Sequence, residues 1–411
     1  MKKILYTIAA VFIILLALSA AAVLLYLGNP NFAMAVDQYM ADYSVSASEI
    51  TPEVPTLEVS ASEEPQNVPR NESGLVDDTP TYIVPSSEDL DMPDILKELT
   101  GFELPAGDTV ILQDDEADRI EEMLSTGSEG DGLDFDPTYY PYYNMLDDQL
   151  KHLYRQIYAN TLDGNSNFRA VEKIMSERQA NNAFMAVVYD HPELIWLNPS
   201  CTMQYRMNGD FIEMDLEFNS LADNIEQSTA EFNAAVDSII SGASGSDYDK
   251  EKYVHDKLAE MNTYVFNSLD QSAYSATNTG QTICAGYSKA FSYILRQMGI
   301  PCYVCAGSAG GPHGWNIVCL DGEYYNVDVT WDDKDPSRLN YKYFNKTDSD
   351  FGYTHIRQDL SVYLPPCNGE TYRGIEPEYD EIMYEFEDED LEETLRELEQ
   401  ELNDLADQLE G

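Results

Sequence analysis

The chain has 411 residues, with 75 acidic side chains against 23 basic ones and a formal net charge of −52. That length suffices for one or two domains with real cores, and a charge this negative excludes nucleic acid as a partner, because phosphates would be repelled. Six cysteines are too few for a disulfide scaffold.

In chain order, Lys2 and Lys3 precede an uncharged run from Ile4 to Gly28. The run exceeds a signal-peptide apolar region and fits a membrane span. Ser19-Ala20-Ala21 could serve a signal peptidase, but Val23 to Leu27 continues the apolar run beyond it. The reading favours an uncleaved signal anchor over 1–40. With the two lysines inside, the bulk of the chain is expected to be extracytoplasmic at the cell membrane. Residues 41–135 read as an acidic stalk rich in Ser, Pro and Glu, with 24 acids and three bases over 45–135. Such a composition buries too little apolar surface to offset ordering entropy, so disorder is expected over 41–95. Short apolar patches such as Thr109 to Leu112 are expected to be weakly ordered at best.

From Asp136 the composition becomes globular, and 136–245 reads as an accessory α+β subdomain. Met145, Leu146, Leu150, Leu153, Tyr154 and Ile157 form a helical stripe. A second helix continues through Ala183 to Val188. Met203 to Phe218 reads as a hairpin turning at Asn208-Gly209, with Ile212, Met214, Leu216 and Phe218 alternating with polar residues. A helix is expected over 222–241. His152, His191 and His255 stand alone in sequence and are read as structural.

Residues 246–370 carry the chemistry. Cys284 opens a predicted helix whose apolar stripe is Phe291, Ile294, Leu295 and Met298, closed by Gly299 and Pro301. A thiol in the first turn meets free N–H groups and the positive end of the helix dipole, which favour the thiolate, the reactive form. Two strands follow, His313 to Leu320 and Glu323 to Trp331, joined by the hairpin signal Asp321-Gly322. A two-residue loop pairs Leu320 with Glu323, which sets His313 opposite Thr330 and Trp315 opposite Asp328. His313 and Asp328 are then diagonal neighbours on one sheet face, roughly 7–8 Å apart. Cys284, His313 and Asp328 supply a nucleophile, a base and an orienting carboxylate. Gln281 is a candidate second oxyanion donor beside the Cys284 N–H, although a plain loop glutamine reads equally well. Trp315, on the same face, is a candidate cleft residue that shields a thioester or simply packs.

The stretches Gly280-Gln-Thr-Ile-Cys-Ala-Gly-Tyr287, Gly299-Ile-Pro301, His313-Gly-Trp-Asn316 and Tyr325-Asn-Val-Asp-Val-Thr-Trp-Asp332 resemble the transglutaminase-like superfamily. The resemblance is close over about 60 residues and looser over about 240 to 367. It implies a papain-like α+β core, in which a Cys-bearing helix packs on an antiparallel sheet. It also implies Cys284, His313 and Asp328 as the catalytic triad. Gly314 departs from the family, which more often has Ala there. The region 136–245 resembles the α+β segment that often precedes this core in bacterial surface proteins. The activity implied is acyl transfer through a thioester on protein or peptide substrates, peptidoglycan peptides among them. An amine acceptor gives cross-linking and water gives a peptidase or amidase. A non-catalytic surface binding module is the alternative from another class.

Cys302 and Cys305 form a C-x-x-C, but on a strand they point to opposite faces, and no second pair completes a zinc set. No EF-hand loop, P-loop or Rossmann fingerprint occurs, so neither cofactor nor metal is expected. The acidic tail 371–411 carries Leu391, Leu395, Leu398, Leu402, Leu405 and Leu409 at heptad spacing. It reads as a solvated amphipathic helix, or as one that docks a basic partner helix or gathers with cations.

Overall fold

The computed structural model describes residues 73–83, 101–173, 175–333 and 341–374, all within the compact unit Arg70–Gly411. The expected membrane anchor and the leucine-heptad tail lie outside these residues. Among the described residues no helix is long and apolar enough to cross a membrane.

The elements run β1 (Ala106–Leu112), α1 (Asp114–Met123), α2 (Pro141–Met145), α3 (Asp148–Leu162), β2 (Asn167–Arg169), α4 (Glu177–Asp190), β3 (Leu197–Arg206), β4 (Phe211–Phe218) and α5 (Ile225–Gly242). The second half adds α6 (Asp247–Met261), β5 (Thr263–Tyr264), β6 (Gln281–Thr282), α7 (Cys284–Gln297), β7 (Cys302–Ser308), β8 (Pro312–Leu320), β9 (Glu323–Val327), α8 (Val329–Asp332), α9 (Asp348–Phe351) and β10 (Ile356–Arg357). One four-stranded sheet has the order β1-β3-β4-β2 and the other β10-β7-β8-β9, while β5 and β6 form a short parallel pair. This mixed helix and sheet architecture is consistent with a transglutaminase-like core.

One hydrophobic core runs from Leu75 to Cys367 and crosses the expected boundary at 245 without a break. Trp196 of the first half and Trp315 and Trp331 of the second belong to it. The stripes in the sequence explain the burial. On α3, Leu150, Leu153, Tyr154 and Ile157 are buried, and Asp147 caps the helix by accepting from the Leu150 N–H. Met145 and Leu146, expected in the same helix, belong to the separate short α2 and its end.

Three expectations fail here. Disorder was expected over 41–95, yet Leu75 is buried in the main core and bridges to Leu146. Residues 96–135 were expected to be weakly ordered at best, yet within the described part β1 pairs in parallel with β3 over seven residues, and α1 packs Ala117 with Leu112 and Ile212. The strand from Glu323 was expected to reach Trp331, but it stops at Val327. Asp328 instead caps α8, its carboxylate accepting from the Trp331 N–H at 3.2 Å. The capping carboxylate favours the helix start because it satisfies a first-turn N–H that the helix itself leaves unpaired.

Candidate active site

The hairpin register is the one the turn dictates. Leu320 pairs with Glu323 and Asn316 with Val327, and both turn residues, Asp321 and Gly322, have positive φ. His313 and Trp315 sit on one face of β8. Asp328, one residue past the end of β9, turns back toward them, so the shortened strand still delivers its carboxylate. His313 Nε2 lies 2.8 Å from Asp328 Oδ2. Asn316, on the other face, donates to the Ser288 carbonyl of α7 and to the Tyr303 carbonyl of β7. It thereby locks the helix that begins at Cys284 onto the strands that carry His313.

Cys284 is the first residue of α7 and is fully buried. Ile283 before it offers no side-chain cap, so the first-turn N–H groups stay available to an anion. The Cys284 thiol lies near enough to the His313 ring to act on it electrostatically and favour its charged form. The Tyr264 hydroxyl, from β5, contacts both the backbone N–H and the thiol of Cys284. Burial of the His313 ring opposes its charge, but the charges of Asp328 and Cys284 more than offset this and lift its pKa to about 10. Burial would raise the Asp328 carboxyl, yet His313 and His355 hold it far below the usual range.

His355 was not singled out by the sequence. Its Nε2 lies 3.1 Å from the same Asp328 Oδ2 that His313 contacts. Tyr264 was missed as well. A two-residue strand and a lone histidine at the far end of the core carry no local pattern, and only the tertiary fold brings them to the triad.

The other candidates land elsewhere. Gln281 is exposed on β6, and its backbone carbonyl accepts from Asn267 and Thr279. Among the described residues no hydrogen bond turns its amide toward Cys284. Trp315 is buried, with its ring stacked 6.3 Å from His313 and its indole N–H on Asn326. It packs behind the histidine and does not line an open cleft. Gly314 points at Phe102, whose ring occupies the space a Cβ would need.

Of the histidines read as structural, His191 lies between Tyr154 and Glu193, and His255 between Asp256 and Asp332. All six cysteines are free, and Cys302 and Cys305 point to opposite faces of β7, as their pairing with Val318 and Trp315 requires. Two groups among the described residues bring potential metal ligands together: His313, Asp328 and His355, and Glu129, Asp131 and His152. Hydrogen bonds account for the closeness of the first group, and the second lies at the surface.

The transglutaminase-like superfamily is matched over residues 234–329, which include the whole of α7 and β8 and end just past Asp328. A solved structure described as the crystal structure of a TGase aligns at 13% identity with a TM-score of 0.23. That alignment covers 54% of this chain and 59% of the other, less than two thirds of its length. No curated protein matches the sequence. The matched stretch includes Cys284, His313 and Asp328, so the residues that meet in this site lie in the part of the chain that is similar to the transglutaminase-like superfamily.

Proposed function

We propose that this protein is a thiol enzyme acting on amide bonds of proteins or peptides by acyl transfer through a thioester on Cys284. The observation that carries this reading is the 2.8 Å contact between His313 Nε2 and Asp328 Oδ2 beside the buried thiol at a helix N-terminus. The Asp328 bond occupies Nε2 and leaves Nδ1, which has no hydrogen-bond partner among the described residues, for exchange with the Cys284 sulfur.

In this scheme the Cys284 sulfur attacks the carbonyl carbon of an amide. The developing oxyanion draws on the Cys284 N–H and the Tyr264 hydroxyl. The amine leaves with a proton from His313, and the acyl group remains as a thioester. An incoming amine or water gives a proton to His313, attacks the thioester and restores the thiolate–imidazolium pair. Cys284 and His313 are completely buried, so the amide and the acceptor reach the thiol only when the site opens, and the burial itself does not choose between amine and water. The uncharged run from Ile4 to Gly28 supports attachment to the cell membrane with the enzyme outside, where peptide strands of the cell wall and surface proteins are the accessible substrates.

The test is to incubate the full-length chain with casein and a labelled primary amine, beside Cys284→Ala. Cys284-dependent incorporation of the amine supports a transferase, and Cys284-dependent cleavage or ammonia release without incorporation supports a hydrolase. Equal behaviour of the two proteins in every channel contradicts the proposal.

A further inference from the structure

His355 lies beyond the residues that match the superfamily, yet it is fully enclosed with the triad. Its ring packs 4.3 Å from Phe351 and 4.4 Å from Trp331, centroid to centroid, and 5.0 Å from Trp315. Its Nε2 approaches Asp328 Oδ2 at 3.1 Å, and its Nδ1 lies 2.8 Å from the Thr354 hydroxyl. A buried carboxylate oxygen accepts, so Nε2 carries the proton, and in the neutral ring Nδ1 competes with the Phe351 carbonyl, 3.2 Å away, for the one proton of the Thr354 hydroxyl. The groups facing this ring are Asp328, His313 and, at 5.7 Å between centroids, the Tyr343 phenol.

We propose that His355 is a positioning residue whose Nε2–H holds the Asp328 carboxylate in the orientation that His313 needs. Asp328 is then fixed from three sides. The Trp331 N–H holds Oδ1, and the two imidazoles share Oδ2. The carboxylate cannot rotate away from His313 without abandoning a buried donor, which is costly. His355 can do this only while neutral, because a second imidazolium would repel His313. Burial first, and His313 after it, keep its pKa down at about 4.

This role rests on the proposed thiolate–imidazolium site. It is tested by the pH titration of the His313 ring, followed by nitrogen NMR in the full-length chain labelled at histidine. His355→Phe keeps the aromatic packing and removes the donor, while His355→Gln keeps a donor near the position of Nε2. The expected result is a His313 midpoint lowered by roughly 1–2 units in His355→Phe and near the wild-type value in His355→Gln. An unchanged or raised midpoint in His355→Phe overturns the proposal, as does an equal fall in both variants, which would make the role one of packing. Should His355→Phe not fold, Thr354→Val decides. A smaller fall in the same direction supports the proposal, and no change overturns it. A wild-type His313 that titrates near ~6.5 would instead sink the underlying site, and this role with it.

Discussion

At Gly314 one missing atom sets the packing beside His313. A Cβ built there would lie 2.3 Å from the Phe102 ring, closer than carbon atoms approach. Phe102 is buried and stacked on Tyr189, so it has little room to yield. The φ of Gly314 is not in the left-handed region, so the cost of a side chain there is steric. Gly314→Ala is predicted to lower stability by about 1–3 kcal/mol, read as a fall in the urea midpoint. An unchanged midpoint would mean that the Phe102 ring moves aside freely. The space a Cβ at Gly314 would need is taken by a residue far upstream in the chain, in a segment that reads as weakly ordered at best. His355 was illegible for a related reason. A single histidine carries no periodicity or spacing, and its meaning comes from Asp328, which the fold sets against it.

The elements that local rules specify are the ones the sequence reveals. The Asp321-Gly322 turn fixes the β8–β9 register because two positive-φ residues admit one hairpin geometry. The Cys284 helix ends where Gly299, at φ 80°, allows the left-handed closure. The stretch after Val327 misled because Val329, Thr330 and Trp331 are all strand formers. Asp328 nevertheless wins as a helix cap, since Val329 and Trp331 find burial in α8 as readily as in a strand. The strand β1 was hidden because it is largely exposed, and what stabilises it is its ladder with β3. That is a tertiary gain which composition does not display. The consequence for the site is direct, since the segment leading into β1 brings Phe102 onto Gly314.

At the scale of the whole molecule, the core buries several titratable groups. Burial raises Asp190 to about 7, Glu251 to about 8 and Asp332 to about 6. A carboxyl whose folded pKa exceeds its unfolded one stabilises the fold while protonated, and this contribution is lost as pH rises through the folded value. His255, held at about 9 by Asp256 and Asp332 against the effect of burial, and His313, at about 10, likewise contribute below the ordinary imidazole value and cease to do so on the alkaline side. His355 acts in the opposite sense. Its pKa lies at about 4, so the fold loses stability as pH falls below ~6.5 toward that value. The net charge of −52 adds self-repulsion that grows as carboxyls ionise. The chain is therefore predicted to be more stable near about pH 6 than near about pH 8.5, which thermal midpoints in matched ionic strength will read. A midpoint that rises across this range would contradict the assignment of these buried groups.

The central claim is that Cys284 is a thiolate paired with His313. It is tested most directly by the pH dependence of iodoacetamide alkylation at Cys284 in the full-length chain, with His313→Ala beside it. The account predicts a rate already high near about pH 6 and lost in the variant. A slow rate that rises only near the ordinary thiol value of ~8.5, the same in both proteins, would contradict it.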